Sequence, residues 1–261
     1  MRSFLIASLL GLVFVMPTAS VSAASGVTLP VQKWSFDGIF GKFDRPAIER
    51  GSQVFFEVCA NCHSLDLLSY RNFVEIGMDK QAITDLASEY EVQDGPNMEG
   101  DMFMRPGRLS DYVVGPYSNE QSARAAHEGS FPPDLSVMVK ARKGGANYIY
   151  ALLTGYSEDV PADFNEDDGG YYNQYFPGNR IAMSPPLEED SVEYEDGTPA
   201  TLEQQSRDVV NFLAWAAQPE LEERKSLGVK VMLYLLVLTA LLYALKRSIW
   251  GCLNLKECES D

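Results

Sequence analysis

The chain is poor in histidine, in cysteine and in positive charge. Its 261 residues include two histidines and four cysteines, and 21 Lys and Arg stand against 37 Asp and Glu, for a formal net charge of −16. So few cysteines exclude a disulfide framework. A chain this acidic repels nucleic acid and attracts a basic partner.

The amino terminus has the pattern of a secretory signal peptide. Arg2 precedes an apolar run over residues 4–15, and small residues follow at positions 21–23. This pattern predicts cleavage after Ala23 or Ala24, so we assign residues 1–23 to a signal peptide and expect residues 24–224 to be exported. An N-terminal anchor that is retained is the alternative, which the short apolar run disfavours.

A second apolar segment runs from Leu227 to Leu245 and is interrupted only by Lys230. Its length predicts one transmembrane helix, placed at residues 225–249, rather than a buried core helix. Basic residues are balanced on its two sides, so the predicted orientation rests on the signal peptide. Residues 250–261, with the remaining two cysteines, then form a cytoplasmic tail.

Helix signals flank the exported region. Asp44 followed by Pro46 predicts the start of a helix that delivers Cys59, and a capping box at Thr201 predicts a helix that stops before Pro219.

Between them, a Ser-x-x-Gln box predicts a helix over residues 118–128, and an apolar run predicts one over residues 147–153 that ends at Gly155. The rest shows no alternating strand and no internal repeat. We expect a mostly α-helical domain with long connections.

The most informative stretch is Cys-Ala-Asn-Cys-His at residues 59–63. On a helical turn two thiols at this spacing can bond covalently to a haem while His63 coordinates its iron. A thiol-disulfide exchange site lacks the expected strand-helix-strand pattern here. A zinc site would have to use adjacent Cys62 and His63, and a disulfide across two residues would be strained.

The second axial ligand of the iron remains open from the residues alone. His127 is the only candidate for a second imidazole. A methionine would raise the potential and close the iron to small ligands, and Met183 is attractive because the proline-rich segment after it stiffens its loop. The other methionines of the exported region are Met78, Met98, Met102, Met104 and Met138.

The sequence resembles the cytochrome c1 family in its bacterial form, over essentially the whole mature chain. The resemblance rests on seven segments. Each segment is weak evidence alone, but their order along the chain is specific for the family. They are residues 50–55 (RGSQVF), 59–64 (CANCHS), 105–111 (RPGRLSD), 123–126 (ARAA), 132–136 (PPDLS), 152–156 (LLTGY) and 182–187 (AMSPPL).

The resemblance implies a class I cytochrome c-like haem domain, enlarged by long loop insertions and followed by one C-terminal transmembrane helix. It implies one haem c bound through Cys59 and Cys62, axial ligation by His63 and Met183, and Arg124 near a haem propionate. His127 is then an ordinary residue. Some bacterial relatives clamp an insertion with a disulfide, but this domain has no spare cysteines, so packing and hydrogen bonds must hold the Met183 loop.

The resemblance also implies a function. The chain would be an electron-transfer subunit of a dimeric bc1 complex and not an enzyme on its own. It would lie beside cytochrome b, take electrons from a Rieske iron-sulfur protein and reduce a soluble cytochrome c on the periplasmic side of a bacterial inner membrane. The acidic run starting at Glu188 would attract that acceptor.

Two rival functions share some of these features. A membrane cytochrome that feeds a terminal oxidase or a nitric oxide reductase would have the same signal, haem motif and anchor. A haem sensor or peroxidase would have an open iron.

Overall fold

The structure is a computed structural model that describes residues 28–254 apart from Glu158, Asp163 and residues 166–168. The predicted signal peptide and residues 255–261 lie outside these residues. The described part contains eight α-helices and two short hairpins. The elements are α1 (Arg45–Glu57), α2 (Tyr70–Glu75), α3 (Lys80–Ser88), β1 (Glu91–Asp94), β2 (Phe103–Pro106), α4 (Glu120–Ala126), α5 (Met138–Ala141), α6 (Ala146–Thr154), β3 (Tyr171–Tyr172), β4 (Arg180–Ile181), α7 (Leu202–Ala216) and α8 (Leu221–Asn254).

Helix α1 begins where the sequence predicts. The carboxylate of Asp44 accepts the Ala47 N–H at 3.4 Å, and Pro46 occupies the first turn, where its missing N–H costs nothing. The helix ends at Glu57, and a 3-10 turn over Cys59–Asn61 follows. The prediction that a helix delivers Cys59 is therefore confirmed.

The core of the domain is the packing of α1 against α7. Phe55 of α1 meets Phe212 of α7 with ring centroids 5.5 Å apart, and Phe73 and Trp215 extend this aromatic cluster. Gly51 permits the close approach, because a Cβ there would lie 2.0 Å from the Asp208 carbonyl oxygen. This packing fixes the end of α1 that leads into Cys59.

A charged contact crosses the same helix pair. The Nε of Arg50 donates to the Asp208 carboxylate at 2.8 Å, and its Nη1 donates to Asp196 at 2.8 Å. The Asp208 side chain is only 1% exposed, and Arg50 is its cationic partner, while Gln204 donates a further hydrogen bond to it at 2.8 Å.

The helix predictions near α7 are confirmed. Thr201 caps α7 by accepting the Gln204 N–H at 3.2 Å, and the helix ends at Ala216, before Pro219. Helix α6 ends at Thr154 and Gly155 is its C-terminal cap, as the apolar run predicts.

Two local expectations are wrong. Asn119, not Ser118, caps α4, because its side-chain oxygen accepts the Ser122 N–H at 2.9 Å and so satisfies the first turn. Strands are also present: β1 pairs antiparallel with β2, and β3 with β4. These strands have four and two residues and no continuous buried face, so alternation could not reveal them.

Helix α8 is the one helix among the described residues that is long and apolar enough to cross a membrane. The candidate span is Leu221–Gly251. Its most apolar stretch of 18 residues has a mean hydropathy of 2.1, and none of that stretch is buried. The helix is continuous from Leu221 to Asn254, so both predicted domain boundaries, at residues 224/225 and 249/250, lie inside it.

Candidate haem site

Cys59, Cys62 and His63 lie together in one turn at the end of α1. The backbone N–H groups of Cys62 and His63 both donate to the Cys59 carbonyl, at 3.1 and 2.9 Å. Both cysteines are half-buried free thiols. Burial raises the pKa of the Cys59 thiol to about 12, with a further contribution from Cys62, and burial also raises the pKa of Cys62.

The imidazole of His63 is oriented by the main chain. Its Nδ1 lies 2.8 Å from the Pro133 carbonyl oxygen. A carbonyl can only accept, so Nδ1 carries the proton and Nε2 has a free lone pair. Burial lowers the pKa of His63 and nearby His127 adds to this, while Pro133 and Asp134 oppose it. A neutral imidazole with an available Nε2, beside two free thiols, is the donor set that a covalent haem requires.

Asp134 fastens the segment that orients His63. Its carboxylate accepts the Ser64 hydroxyl at 3.0 Å and the Asp66 N–H at 2.7 Å, and the Leu135 N–H donates to the Ser64 carbonyl at 2.9 Å. Sequence reasoning singled out residues 132–136 without a role for them. An aspartate two residues before a serine is an Asx-turn signal, but its partners across the chain leave no local trace.

Met183 lies in a different part of the domain. It is half-buried and follows β4 by two residues. Its carbonyl accepts the hydroxyl of Tyr156 at 3.0 Å, and Tyr156 itself follows α6. Tyr156 and Pro185 line a cleft of about 400 Å³ beside this loop. Tyr156 lies in one of the segments that resemble the family, but no local sequence pattern predicts its hydrogen bond to Met183.

Asn173, in the turn between β3 and β4, is bound to α6. Its buried side-chain Nδ2 donates to the Leu152 carbonyl at 2.8 Å, and its Oδ1 accepts the N–H groups of Tyr175 and Phe176 at 3.0 and 3.2 Å. Hydrogen bonds thus connect the turn between β3 and β4 to the helix that packs on α7.

Arg124, the predicted propionate partner, is engaged with protein groups. It makes an ion pair with Glu120 at 2.7 Å, and its Nη1 donates to the Gly129 carbonyl at 2.8 Å. Its side chain is 46% exposed. His127, one turn later, pairs its Nε2 with the Tyr117 hydroxyl at 2.8 Å, and it lies close enough to affect the pKa of His63. The end of α4 is therefore near His63.

The acidic run that follows Met183 is exposed. Glu188, Glu189 and Asp190 all face solvent, and the Glu189 carboxylate also accepts the Leu202 N–H at 3.2 Å, at the start of α7. The other acidic stretch of the sequence, between residues 158 and 168, falls mostly outside the described residues.

A helical domain that presents two thiols and an oriented imidazole in one turn, followed by a helix long enough to cross a bilayer, defines a membrane-anchored c-type cytochrome. The sequence model of the Cytochrome C1 family matches residues 34–253. The chain belongs to this family, and like its members it carries one covalently bound haem c.

Known relatives agree with this placement. The chain is 48% identical to "Cytochrome c1" of Rhodospirillum rubrum over 92% of this chain and 94% of the relative. It is 48% identical to "Cytochrome b-c1 complex catalytic subunit, mitochondrial" of Candida albicans, over 89% of this chain and 81% of the relative. It is 45% identical to "Cytochrome b/c1" of Bradyrhizobium diazoefficiens, over 85% of this chain and 35% of that longer protein.

Proposed function

We propose that this chain is the electron-transfer subunit of a bacterial ubiquinol:cytochrome c oxidoreductase, the bc1 complex. The observation that carries the proposal is the oriented His63 beside Cys59 and Cys62, in a chain that belongs to the Cytochrome C1 family. The oxidoreductase activity belongs to the complex, and the chain is not an enzyme on its own.

The residues divide the work of holding the cofactor. Cys59 and Cys62 would hold the haem through two thioether bonds, His63 and Met183 would ligate its iron, and Arg124 would bind a propionate in place of Glu120. Haem c supplies a one-electron carrier that alternates between ferric and ferrous iron. A haem iron held by these two side chains would be closed to small ligands, so the protein would only set the potential and the position of the haem.

The proposed partners follow from the same assignment. The chain lies beside cytochrome b, takes electrons from a Rieske iron-sulfur protein and passes them to a soluble cytochrome c, within a dimeric complex. The relative whose name joins cytochrome b to c1 supports the first of these neighbours. The one candidate membrane helix among the described residues and the bacterial relative support a single-pass protein of the inner membrane. The predicted signal peptide supports a periplasmic haem domain.

The exposed acidic run supports a role in attracting a basic acceptor. Because Glu189 also binds the start of α7, the clean test neutralises its neighbours with Glu188→Gln and Asp190→Asn. We expect acceptor reduction to become slower at low salt and less dependent on salt. An unchanged salt dependence would contradict this role.

The experiment for the proposed function is quinol reduction of the c-type haem in native membranes. Its absorbance is followed with and without an inhibitor of the bc1 quinol-oxidation site. We expect the inhibitor to abolish reduction. Reduction that ignores the inhibitor would contradict the proposal and point to a cytochrome that serves an oxidase or a nitric oxide reductase.

A further inference from the structure

The loop before α1 exposes two large apolar side chains. Ile39 is 68% exposed and Phe40 is 82% exposed, whereas Phe36 and Phe43 on either side are 9% and 6% exposed. The loop is therefore anchored in the core at both ends and presents an apolar tip outward. Singly exposed apolar residues are common on protein surfaces. Exposure alone therefore does not indicate a binding surface, and the position of this tip relative to α8 has to be considered.

The stem of the loop is bound to the first turns of α8. The Nζ of Lys225 donates to the carbonyls of Phe36 and Gly41, at 2.6 and 3.2 Å. The Phe43 N–H donates to the Glu222 carboxylate at 2.9 Å, which also pairs with Arg45 at 3.1 Å. These contacts fix the position of the loop along the axis of α8, at the level of its first turns.

The sequence of α8 sets where the bilayer begins. The uncharged residues from Val231 to Leu245 span about 22 Å at about 1.5 Å per residue. The hydrocarbon layer is about 30 Å thick and needs about 20 residues. Lys246 and Arg247 limit the far end, so the layer must reach back past Lys230, whose long side chain can snorkel, to about Leu227.

Lys225 then lies only about 3 Å outside the hydrocarbon layer. The headgroup region adds about 5 to 7 Å on each side, so the loop stem that Lys225 holds is in this region. Ile39 and Phe40 are at most two residues from that stem, a reach of about 7 Å.

We propose that Ile39 and Phe40 insert into the lipid interface of the leaflet that α8 enters, as a second membrane contact of the haem domain. Lys42, which is exposed beside the tip, adds a cation that suits anionic headgroups. A domain held by one helix alone can tilt about its tether. Two contacts with the bilayer hold the domain, and the site near the end of α1, at a fixed angle to the membrane.

The test is a spin label in the intact complex, in vesicles of phosphatidylcholine and phosphatidylglycerol. Phe40→Cys is labelled in a background of Cys252→Ser and Cys258→Ser. Matched labels replace Met98, a fully exposed apolar residue in the turn between β1 and β2, and Leu236 of α8, which is 67% exposed. The accessibility of each label to oxygen is compared with its accessibility to a water-soluble nickel chelate, and an unchanged c-haem spectrum controls for folding.

We expect the oxygen-to-nickel ratio at position 40 to be several-fold higher than at position 98 and to approach the ratio at position 236. A ratio at position 40 equal to that at position 98 would overturn the proposal in favour of a solvent-exposed tip. Exclusion of both reagents would overturn it in favour of a neighbouring subunit. A water-like ratio at position 236 would overturn the depth argument and with it the proposal, while the electron-transfer function would stand.

Discussion

The two sides of the proposed haem site are built in different ways. On the first side, Cys59, Cys62 and His63 occupy one turn at the end of α1, and α1 is packed on α7 through an aromatic cluster. On the second side, Met183 lies in a loop that hydrogen bonds connect to α6 through Tyr156. We call these the His63 side and the Met183 side.

This difference predicts which substitutions should remove the haem and which should only change its properties. The His63 side concentrates its chemistry in five contiguous residues that follow α1, and α1 is packed on α7, so damage there should remove the cofactor. The Met183 side depends on long-range contacts around a half-buried side chain, so damage there leaves the cofactor bound and changes its properties.

The largest expected effect is on the His63 side. The double change Cys59→Ala and Cys62→Ala removes both thiols available for thioether bonds, so we expect no covalent haem on this chain. Haem staining after denaturing electrophoresis measures this. Cys252→Ser with Cys258→Ser is the matched control and should stain as the wild type does. A stained band in the first variant would contradict the assignment.

On the Met183 side, Met183→Leu should keep the covalent haem and change its behaviour. Loss of the thioether ligand should lower the reduction potential by on the order of 0.1 V or more and let the reduced iron bind carbon monoxide. A redox titration and a carbon monoxide difference spectrum test this. Met98→Leu, at an exposed position, should change neither.

The frame of the His63 side is tested by Arg50→Ala. This change leaves the buried carboxylate of Asp208 without its cationic partner, so we expect a loss of about 3 kcal/mol in the free energy of unfolding. Arg45→Ala is the control, because Arg45 is 44% exposed and its pair with Glu222 should contribute about 1 kcal/mol or less. If thermal unfolding shows equal losses of unfolding free energy in the two variants, the contact between α1 and α7 does not stabilise the His63 side.

A milder change on the Met183 side is Tyr156→Phe. It removes the hydroxyl that binds the Met183 carbonyl, a contact of about 1 kcal/mol. We expect a small fall in potential and faster carbon monoxide binding, in the same direction as Met183→Leu. Tyr171→Phe, at an exposed tyrosine of the nearby hairpin, should have no effect. A Tyr156→Phe variant with wild-type ligand binding would mean that other contacts hold the loop.

The smallest effect concerns acid stability next to the His63 side. Hydrogen bonds from Arg105 hold the pKa of Asp111 and of Asp94 below the usual value, and the Asp111 carbonyl accepts the Tyr70 N–H at 3.1 Å. A lowered folded-state pKa stabilises the protein above the unfolded pKa, about 3.9, and this stability is lost as pH falls through the folded value.

Arg105→Gln should therefore reduce the melting temperature at pH 6 and flatten its fall below about pH 4. Melting curves from pH 6 to pH 3 check this. If the melting temperature of the variant falls as steeply with pH as that of the wild type, other carboxylates control the acid stability.

The same comparison explains what could be predicted from sequence. The His63 side was predicted because its signals are local: Asp44 and Pro46 start α1, and the motif at residues 59–63 follows directly after the helix. The Met183 side could not be derived from residues alone, because several methionines competed and only the family resemblance selected one. Its axial role stays a prediction.

Apart from the Asn119 cap of α4, the site contacts that the sequence did not predict join distant segments. Pro133 reaches His63 across 70 positions, and Tyr156 reaches Met183 across 27. A single sequence contains no periodicity that reports such pairs. The short strands were missed for a related reason, since two residues of pairing in β3 and β4 leave no alternation to detect.

The most direct test of the two-sided site is near-infrared magnetic circular dichroism of the oxidised complex, in the wild type and in Met183→Leu. The account predicts a charge-transfer band typical of thioether-ligated ferric haem in the wild type and in Met98→Leu, and its loss in Met183→Leu. A band that persists in Met183→Leu would contradict the assignment of Met183 and place the second ligand elsewhere.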